Sequence, residues 1–349
     1  MKTWKSVAAA LTGAAMAAVA LSGSAAAAEK WRYVGGLPMT HDYPQLLAKA
    51  FDKIRERTDG ELDIQYVFIA ETPYKFGEVM TVVRDGLIEG GDWVPSFVAG
   101  TYPILVAPEM PFLFPEKINV SAGQDATNAA WESPAMSEAV NKILGAHKAV
   151  DFGVRYYYEP MNFWFVEHET PTLDSFQGKK MRVFTPELSE LILGLGANPV
   201  TMQSHEVYAA LQRNLLDGLI TGSGNIKGSK FHEVLNAGYI ADPMYISAWP
   251  IVNKERYGAL PDALKNVLDE EMRAVVEEIA STLEARDQEK RTEAEEVFGF
   301  KMATATPEEY QKLRAIAQER VWPKWLERAG EGAEAVLADV LKAVETPEG

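Results

Sequence analysis

Two spacings of hydrophobic residues alternate along most of the chain. The apolar positions of residues 43–57 recur three and four residues apart, which predicts an amphipathic helix. Residues 62–68 alternate apolar and polar positions, which predicts a half-buried strand. Similar patterns predict helices at 75–84, 135–144, 186–195, 204–213, 307–328 and 331–344, and strands at 31–35, 149–156, 180–184, 198–202 and 219–221.

This alternation predicts an α/β protein. Strands that alternate with helices usually belong to a mostly parallel sheet, which the helices cover on both faces. One such run occurs in each half of the chain. We therefore expect two α/β lobes.

A longer helical pattern follows Pro261. Residues 262–297 contain almost no Gly or Pro, and their apolar residues keep a helical spacing. A helix of this length extends over roughly 50 Å, which is longer than one lobe. We expect it to cross between the lobes or to project outward.

The composition fits a folded protein of two domains, with 349 residues, 47% hydrophobic and 24% charged. The formal net charge of −16 at pH 7 repels nucleic acid and anionic lipid, so neither is an expected partner. Small anions are also repelled at long range. Any anion site must therefore be a local group of basic residues.

The N-terminus has the pattern of a secretory signal peptide. Lys2 and Lys5 precede an apolar stretch, Val7–Leu21, and small residues at 26–28 form a cleavage site. We expect export to the periplasm, with cleavage after Ala28. The stretch is too short for a stable membrane anchor, and no later segment has enough consecutive apolar residues to span a bilayer. The chain contains no cysteine, which excludes disulfides and lipid attachment through cysteine.

Motifs of common enzyme classes are absent. The chain has no Walker A, G-x-S-x-G or H-E-x-x-H sequence, and Gly222–Gly224 lacks the spacing of a dinucleotide loop. Its five histidines are scattered, without metal-ligand spacing. The sequence therefore gives no sign of an enzyme or of a cofactor, and we expect neither.

A series of short segments resembles a known family. In order they are FQGKKMRV (176–183), LGANPV (195–200), EVYAALQ (206–212), LDG (216–218) and SKFHEV (229–234), with PFLF (111–114) and LPDAL (260–264) as further landmarks. Their order and spacing resemble the solute-binding proteins of tripartite ATP-independent periplasmic (TRAP) transporters, in the dicarboxylate-binding-protein-like (DctP) family. The resemblance runs from about Tyr33 to the last helices.

The resemblance implies a two-lobed periplasmic binding protein fold, with one long helix spanning both lobes. It also implies that the lobes close around a small organic acid and that the closed form docks on a pair of membrane permease subunits, without ATP. We place lobe I at residues 29–155 and about 248–280, and lobe II at residues 156–247 and about 281–349.

Arg182 is the residue that the resemblance assigns to the ligand. In the family, the arginine at the end of this strand forms a bidentate salt bridge with the ligand carboxylate. A planar guanidinium matches a carboxylate in shape and stays protonated at any relevant pH. It would supply the local positive charge that an acidic protein needs. The alternative is an arginine paired with a neighbouring Asp or Glu of the protein.

Two departures from the family pattern bear on the ligand. Thr221 stands where many members carry an asparagine, and Asn162 stands near the place of a second ligand arginine in sugar-acid-binding members. A second anchoring charge is therefore not expected, which argues against dicarboxylates and sialic-acid-like ligands. Arg155 is in a position to substitute, but we expect it to be structural.

Aromatic residues in segments that should border the cleft favour a monocarboxylate with an apolar or aromatic body. Core packing is the alternative for most of them. The candidates for the wall of the site are Trp93, Trp249, Trp164, Tyr74 and Phe184.

Three polar residues complete the candidate site. Glu71 and Asp92 are placed to meet an amine, a hydroxyl or a bound cation of the ligand. His41 follows the first predicted strand, and ligands of α/β lobes bind beyond strand ends.

Two other functions remain open. A sensor subunit that docks on a receptor would share the fold and the site, and neighbouring genes for a permease pair would favour transport. A secreted α/β hydrolase or isomerase would need a nucleophile or an acid–base pair near Arg182, and we identify none.

Overall fold

The structure, a computed structural model, describes residues 28–166 and 169–345. The predicted signal peptide, apart from Ala28, lies outside the described residues. Within those ranges, no helix combines the length and the hydropathy that a membrane crossing requires.

The described residues form twelve strands and thirteen α-helices. The strands are β1 (Glu29–Gly35), β2 (Leu62–Phe68), β3 (Gly90–Trp93), β4 (Ala149–Asp151), β5 (Tyr156–Tyr157), β6 (Asn162–Phe165), β7 (Lys180–Val183), β8 (Asn198–Thr201), β9 (Gly218–Thr221), β10 (Ala237–Ile240), β11 (Ser247–Asn253) and β12 (Lys301–Thr304). The helices are α1 (Asp42–Arg57), α2 (Val79–Arg84), α3 (Val120–Glu132), α4 (Pro134–Ala146), α5 (Pro186–Gly194), α6 (Ser204–Gln212), α7 (Gly224–Gly228), α8 (Lys254–Ala259), α9 (Asp262–Ser281), α10 (Leu283–Thr292), α11 (Pro307–Ile316), α12 (Trp322–Ala329) and α13 (Ala333–Glu345).

The strands form two six-stranded sheets. The first has the order β2-β1-β3-β11-β4, with β5 also paired to β11, and the second has the order β12-β10-β6-β9-β7-β8. The first sheet thus takes strands from residues 29–157 and 247–253, and the second takes strands from 162–240 and 301–304. The chain passes from one sheet to the other more than once, as the two predicted lobes would require.

The expectation of mostly parallel sheets is wrong. Strand β11 runs antiparallel to β3, β4 and β5, and β6 runs antiparallel to β9 and β10. The physical reason is the connection between the sheets. β5 and β6 are consecutive strands that belong to different sheets, and so are β10 and β11. A strand that enters from the other sheet is not linked to its neighbours by a crossover helix, and here it runs antiparallel to them. A βαβ crossover, which makes neighbours parallel, occurs only within one sheet.

The predicted helix at 262–297 is present with one interruption. Helix α9 ends at Ser281, α10 begins at Leu283, and a single π-helical turn over Glu293–Val297 ends the run. At the break, the Thr282 hydroxyl donates to the carbonyl of Glu278 at 2.7 Å, and a guanidinium nitrogen of Arg286 donates to the carbonyl of Ile279 at 2.9 Å. Side chains that bond to the carbonyls of a preceding turn bend helices in this way.

This pair of helices joins the two halves of the molecule. Helix α9 packs against α1 beside the first sheet. Helix α10 reaches the second sheet, where the Ser223 hydroxyl donates to Asp287 at 2.7 Å. The long helical run therefore spans both lobes, as the resemblance implied.

A buried ionic cluster fixes α10 to the strand ends of the second sheet. Arg291 lies 2.5 Å from Asp242 and 2.7 Å from Asp287, and the amide of Asn162 donates to Asp242 at 2.8 Å. Burial works to raise the pKa of Asp242, but the Arg291 charge outweighs it and the pKa is lowered. Burial raises the pKa of Asp287 to about 7. Arg291 is the cation that both carboxylates share, and Lys117 lies 3.4 Å from Asp242 as a second cation.

Replacing Arg291 by Met should destabilise the protein strongly, because it leaves the buried Asp287 without its cation and leaves Asp242 with Lys117 alone, 3.4 Å away. Loss of one partner from a buried ion pair costs about 3–5 kcal/mol of unfolding free energy, which chemical denaturation at pH 7 would measure. The matched control is Arg57→Met, since Arg57 pairs with Glu270 and Glu271 on the surface. That change should shift the melting temperature little. Equal losses from both substitutions would contradict the assignment.

Candidate functional site

A cavity of about 110 Å³ opens between the two sheets. One water needs roughly 10–15 Å³ by the same measure, so the cavity has room for a small organic molecule. The first lobe lines it with largely apolar and aromatic residues, and the second lobe contributes most of the polar ones. The lining residues used below are Tyr74, Lys75, Phe76, Phe97, Arg182, Phe184, Gln203, Ser204, His205, Thr221 and Asn225.

Arg182 enters the cavity from β7. Side chains alternate along a strand, so Met181 and Val183 bury themselves in the core while Arg182 faces the other way. Its Nε donates to the carbonyl of Met202 at 3.2 Å, and its Nη2 is buried without a hydrogen-bond partner. Among the described residues, no carboxylate forms an ion pair with it. The alternative of an arginine neutralised by the protein is therefore not what the structure has.

The electrostatics of Arg182 follow from its burial. Its side chain is 3% exposed. Desolvation lowers the pKa of the guanidinium to about 10, and no charged neighbour contributes to the shift. Arg182 therefore stays protonated at neutral pH, as a buried cation whose charge the protein does not balance.

Aromatic rings form one wall of the cavity and cross from lobe to lobe. The Arg182 guanidinium lies 5.0 Å from the ring centroid of Phe184. The Phe184 ring stacks on Phe97 at 5.4 Å with an interplanar angle of 13°, and Phe97 meets Phe76 edge to face at 5.2 Å. Because Phe97 follows β3 and Phe184 follows β7, this stack joins the two halves of the site.

Polar groups gather on the side of the second lobe. Thr221 ends β9, and Asn225 is the second residue of the following helix, α7. The first turn of α6, with Gln203, Ser204 and His205, also lines the cavity. The first backbone N–H groups of a helix have no partners within that helix and carry partial positive charge. This side of the cavity therefore suits an anionic group.

Four of the ten predicted site residues line the cavity, namely Arg182, Thr221, Tyr74 and Phe184. Contact with a ligand stays a prediction for each of them. The other six lie elsewhere.

Trp93 and Trp249 lie in the core and do not close over a cleft. They face each other on the paired strands β3 and β11, with ring centroids 5.8 Å apart, and Trp249 also packs against Trp131 at 5.2 Å. Both strands have neighbours on each side in the first sheet, and both side chains are buried. Arg155, which lies 4.7 Å from the Trp249 ring, pairs with Glu132 at 2.7 Å, as a structural role requires.

Trp164 and Asn162 are also structural. The Trp164 indole donates to the carbonyl of Thr221 at 2.9 Å and so braces the strand next to the cavity. Asn162 is fully buried, and its side-chain oxygen accepts from the backbone N–H groups of Ala241 and Asp242. All four of its side-chain bonding partners belong to the protein, which leaves none for a ligand.

The three remaining polar candidates lie outside the cavity. Glu71 is exposed to solvent. Asp92, on β3, is buried in the first lobe. The Tyr33 hydroxyl donates to it at 2.5 Å, and burial raises its pKa to about 7. His41 contacts Ser229 at 3.2 Å, beside a different cavity. Within residues 28–166 and 169–345, no three Asp, Glu or His side chains are grouped to hold a metal ion.

Several lining residues escaped the sequence reasoning, chiefly Phe97, Phe76, Gln203, His205 and Asn225. One signal was available for some of them. Gln203 and His205 directly follow β8, and Asn225 follows β9, and ligands of α/β lobes bind beyond the carboxyl ends of strands. Phe97 and Phe76 belong to short 3-10 helices, and the hydrophobic pattern does not show that these helices border a cavity.

The chain matches the family described as "Bacterial extracellular solute-binding protein, family 7" (DctP) over residues 39–328. A solute-binding protein of Sulfitobacter sp. (strain NAS-14.1) is 26% identical over 226 residues, which are 64% of this chain and 66% of that protein. The ectoine/5-hydroxyectoine-binding periplasmic protein UehA of Ruegeria pomeroyi is 24% identical over 332 residues, 93% of each chain. The C4-dicarboxylate-binding periplasmic protein DctP of Rhodobacter capsulatus is 30% identical over 174 residues, which are 49% of each chain.

Solved structures share the fold. DctP7, an extracytoplasmic solute receptor of Bordetella pertussis binding pyroglutamic acid, superposes with a TM-score of 0.77 at 19% identity, covering 91% of this chain and 100% of that one. A TRAP periplasmic solute-binding protein of Desulfovibrio salexigens with bound orotic acid also gives 0.77, at 18% identity, covering 90% and 98%. Together with the match over residues 39–328, the two-lobed fold and the cavity between the lobes lead to one conclusion: the chain belongs to family 7 of the bacterial extracellular solute-binding proteins.

Proposed function

We propose that the protein captures a small organic acid in the periplasm and delivers it to the membrane subunits of a TRAP transporter. The observation that carries this proposal is the buried guanidinium of Arg182, which lines the cavity and has one nitrogen without a partner. It is a binding protein and not an enzyme, as the family match supports.

The physical argument is one of charge compensation. A buried charge without a partner is unfavourable, because it has lost its hydration and gained no counterion. A ligand carboxylate supplies that counterion. Hydrogen bonds between a guanidinium and a carboxylate are short and about twice as strong as neutral ones, and the match of two planar groups fixes the orientation of the ligand.

The lining also limits the class of acid. Among the described residues that line the cavity, Arg182 is the one buried cation, since Lys75 and His205 are exposed. One buried cation suits one carboxylate. The wall next to Arg182 is aromatic, with Phe97 in contact with both Phe76 and Phe184, and it suits a flat or cyclic body. We therefore propose a monocarboxylate that carries a ring or an apolar body.

Relatives support this class. Pyroglutamic acid, orotic acid and ectoine, which the matched proteins are named for binding, are ring compounds with one carboxylate. The C4-dicarboxylate named for another relative is the main competitor. We also propose the lobe limits given above, and export by the signal peptide with cleavage after Ala28.

Replacing Arg182 by Met should abolish tight binding of acids. A panel of cyclic monocarboxylates that includes pyroglutamate and orotate should raise the unfolding free energy of the natural protein, by about 2.7 kcal/mol at a hundredfold excess over Kd. In Arg182→Met the Kd should rise at least 30-fold, since removal of one partner of a buried charge pair costs about 2–5 kcal/mol. Calorimetric titration and thermal melting measure both quantities.

The ligand-free variant provides a second readout. Because Arg182→Met removes an unbalanced buried charge, its melting temperature without ligand should equal or exceed that of the natural protein. Arg155→Met is the matched control, since Arg155 also stacks on an aromatic ring but is paired with Glu132. It should lose stability and keep its affinity. Uncharged amides that bind as well as the acids would refute the carboxylate assignment.

Replacing Phe97 by Leu should weaken cyclic acids more than acyclic ones. Aromatic contacts contribute about 0.5–1.5 kcal/mol beyond area burial, so the Kd for a cyclic acid should rise roughly 2- to 12-fold. The Kd for a short acyclic acid should change less. Phe152→Leu is the control, because Phe152 packs against Tyr257 away from the cavity. An equal loss for both kinds of acid would contradict recognition of a ring.

A further inference from the structure

The two lobes touch at a second place, away from the ligand cavity. The Thr40 hydroxyl donates to the carbonyl of Gly228 at 2.7 Å, and Nε2 of His41 lies 3.2 Å from the Ser229 hydroxyl. Thr40 and His41 precede α1 beside the first sheet, whereas Gly228 and Ser229 end α7 beside the second. None of the four lines the ligand cavity.

The fit at this contact is close. The His41 side chain is 4% exposed. A Cβ atom at Gly228 would lie 2.5 Å from two atoms of the imidazole ring, well inside van der Waals contact. The ring therefore rests on bare backbone, and any side chain at 228 would force the two loops apart.

We propose that Thr40 and His41 form a latch with Gly228 and Ser229 that holds the lobes closed, and that the latch engages with a neutral His41 and releases when His41 is protonated. This inference rests on the proposed function in one respect: it takes closure of the lobes as the step that retains the ligand. It assigns to His41 a positioning role, with no contact to the ligand.

The surroundings of His41 oppose its protonation. Burial, and then the charge of Lys290, lower the pKa of His41 to about 4, while Asp42 acts in the opposite direction. Lys290 lies 2.5 Å from Asp42, and Lys227 lies 2.6 Å from Glu293, so these charges are engaged with one another. The charged groups that border the same space are Asp42, Glu159, Lys227, Arg286, Glu289, Lys290 and Glu293.

The direction of the pH dependence follows. With the lobes apart, His41 is solvated and its pKa returns to about 6.5. The closed form has the lower pKa, so protons favour the open form. The contribution of the latch is complete above about pH 6.5 and is lost as the pH falls towards 4. With pKa values of about 6.5 in the open form and about 4 in the closed form, the closed-to-open ratio falls about 30-fold between pH 7.5 and pH 5.

A distance measurement between the lobes tests the latch without any ligand. The chain has no cysteine, so spin labels attach only at introduced sites, Lys49→Cys on α1 and Gln212→Cys on α6, which are both exposed. Pulsed electron resonance then gives the closed fraction. In the otherwise natural chain it should fall between pH 7.5 and pH 5, by about 30-fold in the closed-to-open ratio. His41→Gln should remove this change.

Matched variants separate the latch from general effects. Gly228→Ala should lower the closed fraction at pH 7.5, whereas Gly258→Ala, where a Cβ would meet nothing within 4 Å, should leave it unchanged. His147→Gln, remote from the latch, should keep the pH dependence.

Three results would each overturn the latch. The first is a closed fraction that is independent of pH in the natural chain, and the second is one that follows the same curve in His41→Gln. The third is a Gly228→Ala variant that has the same closed fraction as Gly258→Ala. Failure of all acids to bind would refute the proposed function and leave these distances readable. Acid binding together with a pH-independent distance would refute the latch alone.

Discussion

A buried guanidinium without a carboxylate of its own is the constraint around which the rest of the site is arranged. Arg182 is held by a single backbone carbonyl and by the face of Phe184. Neither contact neutralises its charge. The folded protein therefore contains an unbalanced buried charge. Under the proposed function an acid would neutralise this charge, whereas a neutral molecule that fills the cavity would leave it as it was.

The polar residues near the sheet edges divide into two groups with different tasks. Asn162, Asp242, Asp287 and Arg291 satisfy one another and hold the long helical run against the second sheet. Arg182, Thr221 and Asn225 lie on the same sheet side but keep bonding capacity towards the cavity. The first group fixes the long helical run that connects the two sheets, and the second lines the cavity between them.

The sequence predicted individual helices and strands better than it predicted which strands pair with one another. Hydrophobic spacing predicts β1, β2, β4, β7, β8 and β9, most helices and the long run after Pro261, because spacing reflects which face of an element is buried. It did not predict β3, β6, β10, β11 or β12. Arg182 was identified by its segment, and Phe184 and Tyr74 by aromatic character near strand ends. Trp93 and Trp249 also stand near strand ends, yet β11 inserts beside β3 and turns both into core residues.

The same limit explains Asn162 and His41. A one-dimensional pattern places a residue at a strand end but does not specify what returns from a distant part of the chain to meet it. Asp242 meets Asn162 from 80 residues away, and Ser229 meets His41 from 188 residues away. Helix α3 was missed for a different reason, because its small and polar residues weaken the helical pattern.

The position of β11 in the first sheet has a consequence for synthesis. This strand separates β3 from β4, and β5 also pairs with it. Until residues 247–253 leave the ribosome, β4 and β5 have no partners in that sheet, and the nascent first lobe holds only β1, β2 and β3. The first sheet therefore cannot be completed until most of the polypeptide is made.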